Sequence, residues 1–171
     1  MDEAELAALV RRHAGLLHKV AYAYCRNPAD REDLLQEIAL QLWRAHDRFD
    51  RSQRESTWIY RVALNVAISF YRRERRHRER TSSLEDAPEG AWLSLAAPEV
   101  SDEAASLWRG LAELAPLERS LALLYLDGLD HATIAEVLGL SPSNVGTKLG
   151  RIKERLRANY QRSQTQERSQ R

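Results

Sequence analysis

Apolar side chains recur at steps of three and four residues along almost the whole chain, and this spacing restricts the fold more than any other feature. Such spacing places apolar residues on one face of an α-helix. No stretch alternates apolar and polar residues between turn signals, as a half-buried strand does. The sequence therefore predicts an all-α protein built from amphipathic helices.

The N-terminal part contains three such segments. One continuous helix is predicted from Leu6 to Tyr24, and Asn27-Pro28 ends it. A second is predicted from about Asp30 to His46, with acids in its first turn, where the helix dipole favours carboxylates. After a loop from Phe49 to Ser56, a third is predicted from Ile59 to about Arg80. Its last part is rich in arginine and has no apolar stripe, which indicates a solvated extension.

Residues 81–101 are rich in serine, proline, glycine and acids, which is typical of a flexible linker. Shorter helical patterns then follow over residues 102–160, and residues 161–171 form a polar tail that we expect to be frayed. The sequence thus predicts two small helical domains, residues 1–80 and 102–160, joined by a flexible linker.

The formal net charge of +1 conceals a strong segregation of charge. Residues 51–80 carry nine arginines against three acids, and residues 81–118 carry eight acids against one arginine. Residues 119–171 are basic again, with nine basic and five acidic groups. Two basic blocks separated by an acidic one indicate two surfaces that face a polyanion, although solvated helix faces would give the same pattern.

Several classes of function find no support in the sequence. The single cysteine, Cys25, has no partner for a disulfide or a zinc site, which favours a cytoplasmic location. No run of eighteen apolar residues is present, so no membrane insertion is expected. The five histidines lack metal-ligand spacing, and no glycine-rich phosphate loop occurs. We therefore expect no catalytic residue, no metal and no cofactor.

The strongest local motif lies in residues 130–157, where two short helices are separated by a tight turn at Gly139. The small Ala135 allows close approach of the helices, and Val145 and Leu149 face the first helix. This pattern is typical of a helix-turn-helix, in which the second helix enters the DNA major groove, although a basic helical hairpin remains the alternative. The polar residues predicted on its outer face are Ser143, Asn144, Thr147, Lys148, Arg151 and Arg155.

A second candidate interface combines cations with aromatic residues. Six of the nine residues from Arg72 to Arg80 are arginines, and Trp58, Phe70 and Tyr71 lie upstream of them. Single-stranded nucleic acid needs both groups, because its phosphates attract charge and its unstacked bases attract aromatic faces. A solvated helix face is again the alternative, and the apolar stripe predicts packing roles for Trp58 and Phe70.

Two blocks of the sequence together resemble a known family. The segments Asp30–Arg44 and Thr57–Arg73 resemble region 2 of the bacterial extracytoplasmic-function (ECF) sigma factors. The block from Leu114 to Leu156 resembles their region 4, in the same order and at similar spacing. The resemblance implies a factor that binds core RNA polymerase, through its β′ coiled coil and its β flap, and directs it to promoter DNA. It also implies an anti-sigma factor as a further partner.

The resemblance also implies roles for particular residues. The second predicted helix would bind polymerase through seven residues: Asp33, Leu34, Gln36, Glu37, Leu40, Trp43 and Arg44. The melted −10 strand, with one base flipped out, would be held by Phe49, Arg54, Ser56, Arg61, Asn65, Ser69, Arg72 and Arg73. The helix-turn-helix face named above would read the −35 element.

This chain departs from the family pattern at several positions. Glu55 and Ser56 stand where an aromatic residue is common, and Ser69 stands where an aspartate is frequent. Gly146 and Gly150 replace larger residues in the recognition helix, at a cost of about 1 kcal/mol each relative to alanine, or else they allow close approach to DNA. Two other functions fit parts of the pattern: a duplex-binding regulator that never meets polymerase, and an enzyme that uses carboxylates of the second helix.

Overall fold

The computed structural model describes the backbone of residues 2–50, 52–81 and 102–169. Within these residues the regular elements are helices, and no strand occurs. The described residues form two compact units, one before and one after residues 82–101. The predicted all-α class is thus confirmed, while the predicted linker lies outside the described residues.

The first unit is a small bundle in which the longest helix packs against the two before it. Its elements are α1 (Glu3–Arg12), α2 (Ala14–Tyr24), α3 (Pro28–Ala45), a 3-10 turn (His46–Arg48) and α4 (Glu55–Thr81). Helix α4 packs mainly on α3 and α2. The side chains that these helices share are fully or almost fully buried, and they include Val20, Leu34, Ile38, Leu42, Ile59, Leu64 and Ala67.

The prediction of one helix from Leu6 to Tyr24 is wrong, because the helix is interrupted at His13. The backbone of His13 has φ −109° and ψ 17°, outside helical values. The break leaves both Leu9 and Leu17 in the core. It also allows the His13 ring to reach Glu55 on α4, with 2.7 Å between Nε2 and Oε1. The apolar spacing predicts one continuous helix, but the structure has two helices with the His13–Glu55 contact at their junction.

The second unit contains four helices: α5 (Asp102–Ala112), α6 (Pro116–Leu126), α7 (His131–Leu138) and α8 (Pro142–Ser169). Helix α6 begins with proline, whose missing N–H is not needed at that position. Helix α8 packs on α5, α6 and α7. It extends to Ser169, so the polar tail predicted from residue 161 continues the helix up to that residue.

A buried arginine joins α5 to α6. The Arg119 side chain is 2 % exposed, and its guanidinium donates to the carbonyl oxygens of Leu111, Ala112 and Leu114 at 3.1, 2.6 and 3.2 Å. The last carbonyls of a helix lack partners within the helix. Arg119 therefore supplies hydrogen bonds at the C-terminal end of α5.

Candidate nucleic-acid interface

The turn between α7 and α8 has the geometry of a helix-turn-helix. Gly139 ends α7 with φ +66°, a left-handed conformation that glycine adopts without strain. The N–H of Leu140 donates to the carbonyl of Ala135 at 2.9 Å. The Ser141 hydroxyl oxygen then accepts from the N–H of Asn144 at 3.2 Å and caps α8. These bonds fix the direction in which α8 leaves the turn.

Helix α8 exposes one polar face while its other face is buried. Val145, Leu149 and Ile152 are 0–3 % exposed. The predicted −35 residues lie on the opposite side: Ser143, Asn144, Thr147 and Arg151 are exposed, and Lys148 is half-buried. The first turns of this face thus carry hydroxyls, an amide and cations, which suit base edges and phosphates.

Arg155 differs from the other predicted −35 residues, because its guanidinium is bonded within its own unit. Nη1 contacts Oε2 of Glu118 at 3.1 Å, and Nη2 donates to the carbonyl of Glu113 at 3.0 Å. These bonds tie α8 to the start of α6. We therefore leave Arg155 out of the proposed −35 surface.

Four of the predicted −10 residues form one stripe along α4. At 100° per residue, Arg61, Asn65, Ser69 and Arg72 lie within about 80° of each other on the helix surface. Asn65, Ser69 and Arg72 are exposed. Arg76 continues the stripe, which spans about 22 Å from Arg61 at 1.5 Å per residue. Arg73 lies beside the stripe and forms an ion pair with Glu37 of α3.

Two aromatic rings lie next to the start of this stripe. The Phe49 and Trp58 ring centroids are 4.8 Å apart with a 38° tilt. Trp58 and Phe70 are 7 % and 4 % exposed, so their predicted packing roles are confirmed. Phe49 is half-buried. Arg54 is exposed, whereas Ser56 lies in the first turn of α4, not in the predicted loop.

Glu55, which differs from the family pattern, is the first residue of α4 and links this helix to the end of α1. Its Oε1 accepts from Nη1 of Arg12 at 2.8 Å and lies 2.7 Å from Nε2 of His13. The hydrogen bond with His13, helped by the positive charge of Arg12, lowers the pKa of the Glu55 carboxyl below its ordinary value. Glu55 is therefore ionised at neutral pH.

A separate exposed surface lies along α3. Asp33, Gln36, Leu40, Trp43 and Arg44 are exposed and fall on one side of the helix. Leu40 and Trp43 are 46 % and 48 % exposed, which is unusual for large apolar side chains on one helix face. The arrangement is typical of a protein-binding surface. The α3 surface is defined here by these five residues and Glu37.

Leu34 does not belong to the α3 surface. Its side chain is fully buried among the core residues of the first unit. It lies about 100° around the helix from Asp33, on the side of Ile38 and Leu42. The predicted polymerase contact of Leu34 is therefore replaced by a packing role.

The described residues offer little for covalent or metal chemistry. Burial raises the pKa of the Cys25 thiol to about 12, so the nucleophilic thiolate does not form at neutral pH. No group of three metal-ligating side chains occurs among the described residues. In the same part of the chain, no helix combines the length and apolar character that crossing a bilayer requires.

The two units match two successive parts of one protein family. Residues 9–77 match the family model for Sigma-70 region 2, and residues 104–156 match that for Sigma-70 region 4. Together these matches cover most of the chain. The protein therefore belongs to the sigma-70 family, and within it to the ECF RNA polymerase sigma factors, which act as transcription initiation factors.

Individual relatives agree with this assignment. The ECF RNA polymerase sigma factor SigM of Mycobacterium tuberculosis is 29 % identical over 150 residues, which are 86 % of this chain and 73 % of SigM. The sigma factor NccH of Alcaligenes xylosoxydans xylosoxydans is 27 % identical over 168 residues, 95 % of this chain and 90 % of NccH.

Two solved structures resemble the chain as well. The structure of CnrH, in complex with the cytosolic domain of CnrY, gives a TM-score of 0.65 at 25 % identity, covering 92 % of this chain and 88 % of CnrH. The sigma factor RpoE of Bartonella quintana, crystallised with the anti-sigma factor NepR, gives a TM-score of 0.72. At 17 % identity, over 93 % of this chain and 96 % of RpoE, the second similarity supports the fold alone.

Proposed function

We propose that this sigma factor divides promoter recognition between its two units. Helix α8 reads the −35 element in the major groove through Ser143, Asn144, Thr147, Lys148 and Arg151. The α4 stripe, with Phe49, Arg54 and Ser56 at its start, holds the separated −10 strand. The α3 surface binds the β′ coiled coil of core RNA polymerase, and the second unit contacts the β flap.

The exposed polar face of α8 is the main observation that supports this proposal. Its apolar side is closed by α5, α6 and α7, so the face with Ser143, Thr147 and Arg151 is the one left for a ligand. A helix placed directly after a tight turn, with polar groups in its first two turns, has the geometry that reads the major groove. The α4 stripe differs from it by combining cations with an aromatic pair, which suits an unpaired strand.

The α3 surface distinguishes a polymerase subunit from a regulator that binds only duplex DNA. Large apolar side chains at the centre of an interface contribute most of its binding free energy. Leu40 and Trp43 provide such side chains, and Asp33 and Glu37 lie beside them. The same surface is also open to an anti-sigma factor, which would then compete with polymerase for it. The structures of CnrH in complex with the cytosolic domain of CnrY and of RpoE in complex with the anti-sigma factor NepR support this second partner.

Transcription in vitro with bacterial core polymerase tests the proposal. The purified chain should direct initiation at specific start sites and should co-elute with core polymerase. Replacement of Leu40 and Trp43 by alanine should abolish both activities. Replacement of the exposed His18 of α2, outside the α3 surface and the α4 stripe, is the control and should leave co-elution intact. Specific DNA binding without polymerase association would favour the duplex-binding regulator instead.

A further inference from the structure

His131 lies next to the recognition helix α8. It is the first residue of α7 and is exposed. A Cβ atom placed on Gly146 of α8 would lie 3.6 Å from Nδ1 and 3.7 Å from Cε1 of the His131 ring. The imidazole is therefore in contact distance of a residue of α8 that has no side chain, so nothing on α8 separates the ring from that helix at this point.

This contact places the imidazole at one edge of the polar face of α8. At 100° per residue, Gly146 lies about 60° around the helix from Ser143 and about 100° from Thr147, between the polar face and the buried face. In a helix-turn-helix the first helix crosses the DNA backbone while the second enters the groove. The position of His131 at the start of the first helix therefore favours a backbone phosphate as its contact, and not a base.

The second unit has one side chain that ordinarily titrates near neutral pH. His131 is the one histidine in residues 102–171. Histidine is the side chain whose charge ordinarily changes between pH 5 and pH 8. A change of pH within this range therefore alters the charge of the second unit mainly at His131.

The surroundings of His131 leave an imidazolium without an anionic partner. Helix α7 packs against α6 and α8. The titratable side chains on α7, on the facing part of α8 and in the connection from α6 are Tyr125, Asp127, Asp130, Glu136, Lys148 and Lys153. Among the residues that the structure describes, no carboxylate forms an ion pair with His131. A phosphate of bound DNA would supply the missing negative charge.

Two of these neighbours are held by other groups. Asp130 caps α7, and its Oδ1 accepts from the N–H of Thr133 at 2.7 Å. Lys153 lies over the Tyr125 ring, with Nζ 3.9 Å from the ring centroid. The nearest acid in the sequence is thus engaged with the helix backbone, and one nearby cation is engaged with an aromatic ring.

We infer that protonated His131 contacts a backbone phosphate of the −35 element, so that this sigma factor takes up a proton on binding and binds more tightly as the pH falls from about 8 to about 5.5. The inference rests on the proposed function, because it requires α8 to lie in the groove of that element. In this proposal His131 makes the affinity depend on pH, while the polar face of α8 reads the bases.

The chemistry of imidazole gives the sign of the effect. An imidazolium has a positive charge and two N–H donors, whereas a neutral imidazole has no charge and one donor. A phosphate oxygen is a negatively charged acceptor, so it binds the imidazolium more strongly. A ligand that prefers one state increases the population of that state, and here this means proton uptake. Phosphate contacts carry no sequence information, so pH should leave the preferred −35 sequence unchanged.

Binding of the reconstituted holoenzyme to a promoter fragment tests the inference. The affinity of the wild type relative to His131→Gln should be about equal near pH 8 and about two- to fivefold higher near pH 5.5, because glutamine keeps a donor but never gains the charge. The comparison at each pH removes the effect of pH on polymerase itself. His18→Gln, at an exposed position of α2, is the matched control and should follow the wild type.

A second variant and a second readout separate the charge from a structural role. His131→Lys has a permanent charge and should bind about two- to fivefold more tightly than His131→Gln at every pH. The slope of log affinity against log salt concentration should become steeper for the wild type by up to about 0.9 as the pH falls, and should stay constant for both variants.

Two results would overturn the inference while leaving the proposed function in place. One is a ratio of wild-type to His131→Gln affinity that does not change with pH. The other is binding by His131→Lys that is no tighter than binding by His131→Gln. Absence of any specific binding to the −35 element by the wild-type holoenzyme would overturn both the inference and the proposed function.

Discussion

Arg73 on α4 forms a two-pronged ion pair with Glu37 on α3, with distances of 2.9 Å between Nη2 and Oε2 and 3.4 Å between Nη1 and Oε1. The hydrogen bond to Glu37 raises the pKa of the arginine. The pair joins a residue of the α3 surface to a residue predicted to hold DNA. We therefore expect a partner that binds Glu37 to change the availability of Arg73 to DNA.

This pair should weaken DNA binding by the free chain. Replacement of Glu37 by glutamine should release Arg73 and raise the affinity for a single-stranded −10 oligonucleotide about two- to fivefold, which is the range for an exposed ion pair. Fluorescence anisotropy at low salt measures the change. Glu32→Gln removes the same charge from an exposed position of α3 and is the matched control. Equal effects of both variants would mean that only the net charge matters.

The face of α8 gives a prediction about the −35 element. Replacement of Lys148 and Arg151 by alanine should reduce holoenzyme binding to the −35 element about tenfold or more, because two cations next to DNA are lost. Co-elution with core polymerase should not change, since the α3 surface lies in the other unit. Footprinting and gel filtration measure the two properties. Arg155→Ala is the contrasting variant, and its main effect should be on stability.

The buried Arg119 gives a prediction about folding. Replacement by methionine keeps much of the volume but leaves the carbonyls of Leu111, Ala112 and Leu114 without their donor. The free energy of unfolding of the second unit should fall by about 3 kcal/mol, because buried acceptors without partners are costly. Thermal or urea unfolding of the full chain measures it. A loss of less than about 1 kcal/mol would show that water replaces the guanidinium.

The ionised state of Glu55 predicts how stability depends on pH. The folded state lowers the pKa of this carboxyl from its ordinary 4.5, so its stabilisation is fully present above that value. The stabilisation is lost as the pH falls through the lowered value. The melting temperature of the wild type should therefore decrease more steeply than that of Glu55→Gln when the pH is lowered from about 6 to about 3. If the melting temperatures of the two proteins fell in parallel with pH, the lowered pKa of Glu55 would be contradicted.

The helices and the helix-turn-helix could be predicted because they depend on local signals. Gly139 and the apolar spacing around Val145 act within a few residues of the turn. The apolar stripe of α3 also predicts the burial of Leu34 beside Ile38 and Leu42, against the polymerase contact that the resemblance implies. The break at His13 and the bonds of Arg119 could not be predicted from local signals. Each depends on which face of one helix meets another, and a single sequence leaves that pairing open. The contacts of Glu55 could not be predicted for the same reason, since its partners are 42 and 43 residues away.

Gly146 and Gly150 of α8 provide a final prediction, because no described neighbour in the second unit excludes a larger residue there. A Cβ atom on Gly150 would meet no atom within 4 Å, and one on Gly146 would lie 3.6 Å from the His131 ring, an ordinary contact. Alanine at either position should therefore stabilise the unit by up to about 1 kcal/mol. A residue that lowers stability on an exposed helix face can be kept for a gain in binding.

We expect that gain to be close approach of DNA at Gly150, which is exposed beside Thr147 and Arg151. Gly150→Ala should raise the melting temperature and yet weaken binding to the −35 element severalfold, because the added methyl group would lie between the helix backbone and the groove. Gly146→Ala, at a half-buried position, should raise the melting temperature without this loss. If Gly150→Ala binds the −35 element as tightly as the wild type, the glycine has no role in DNA recognition. The exposed Gly15 of α2 serves as a control for the stability measurement, since a Cβ there also meets nothing within 4 Å.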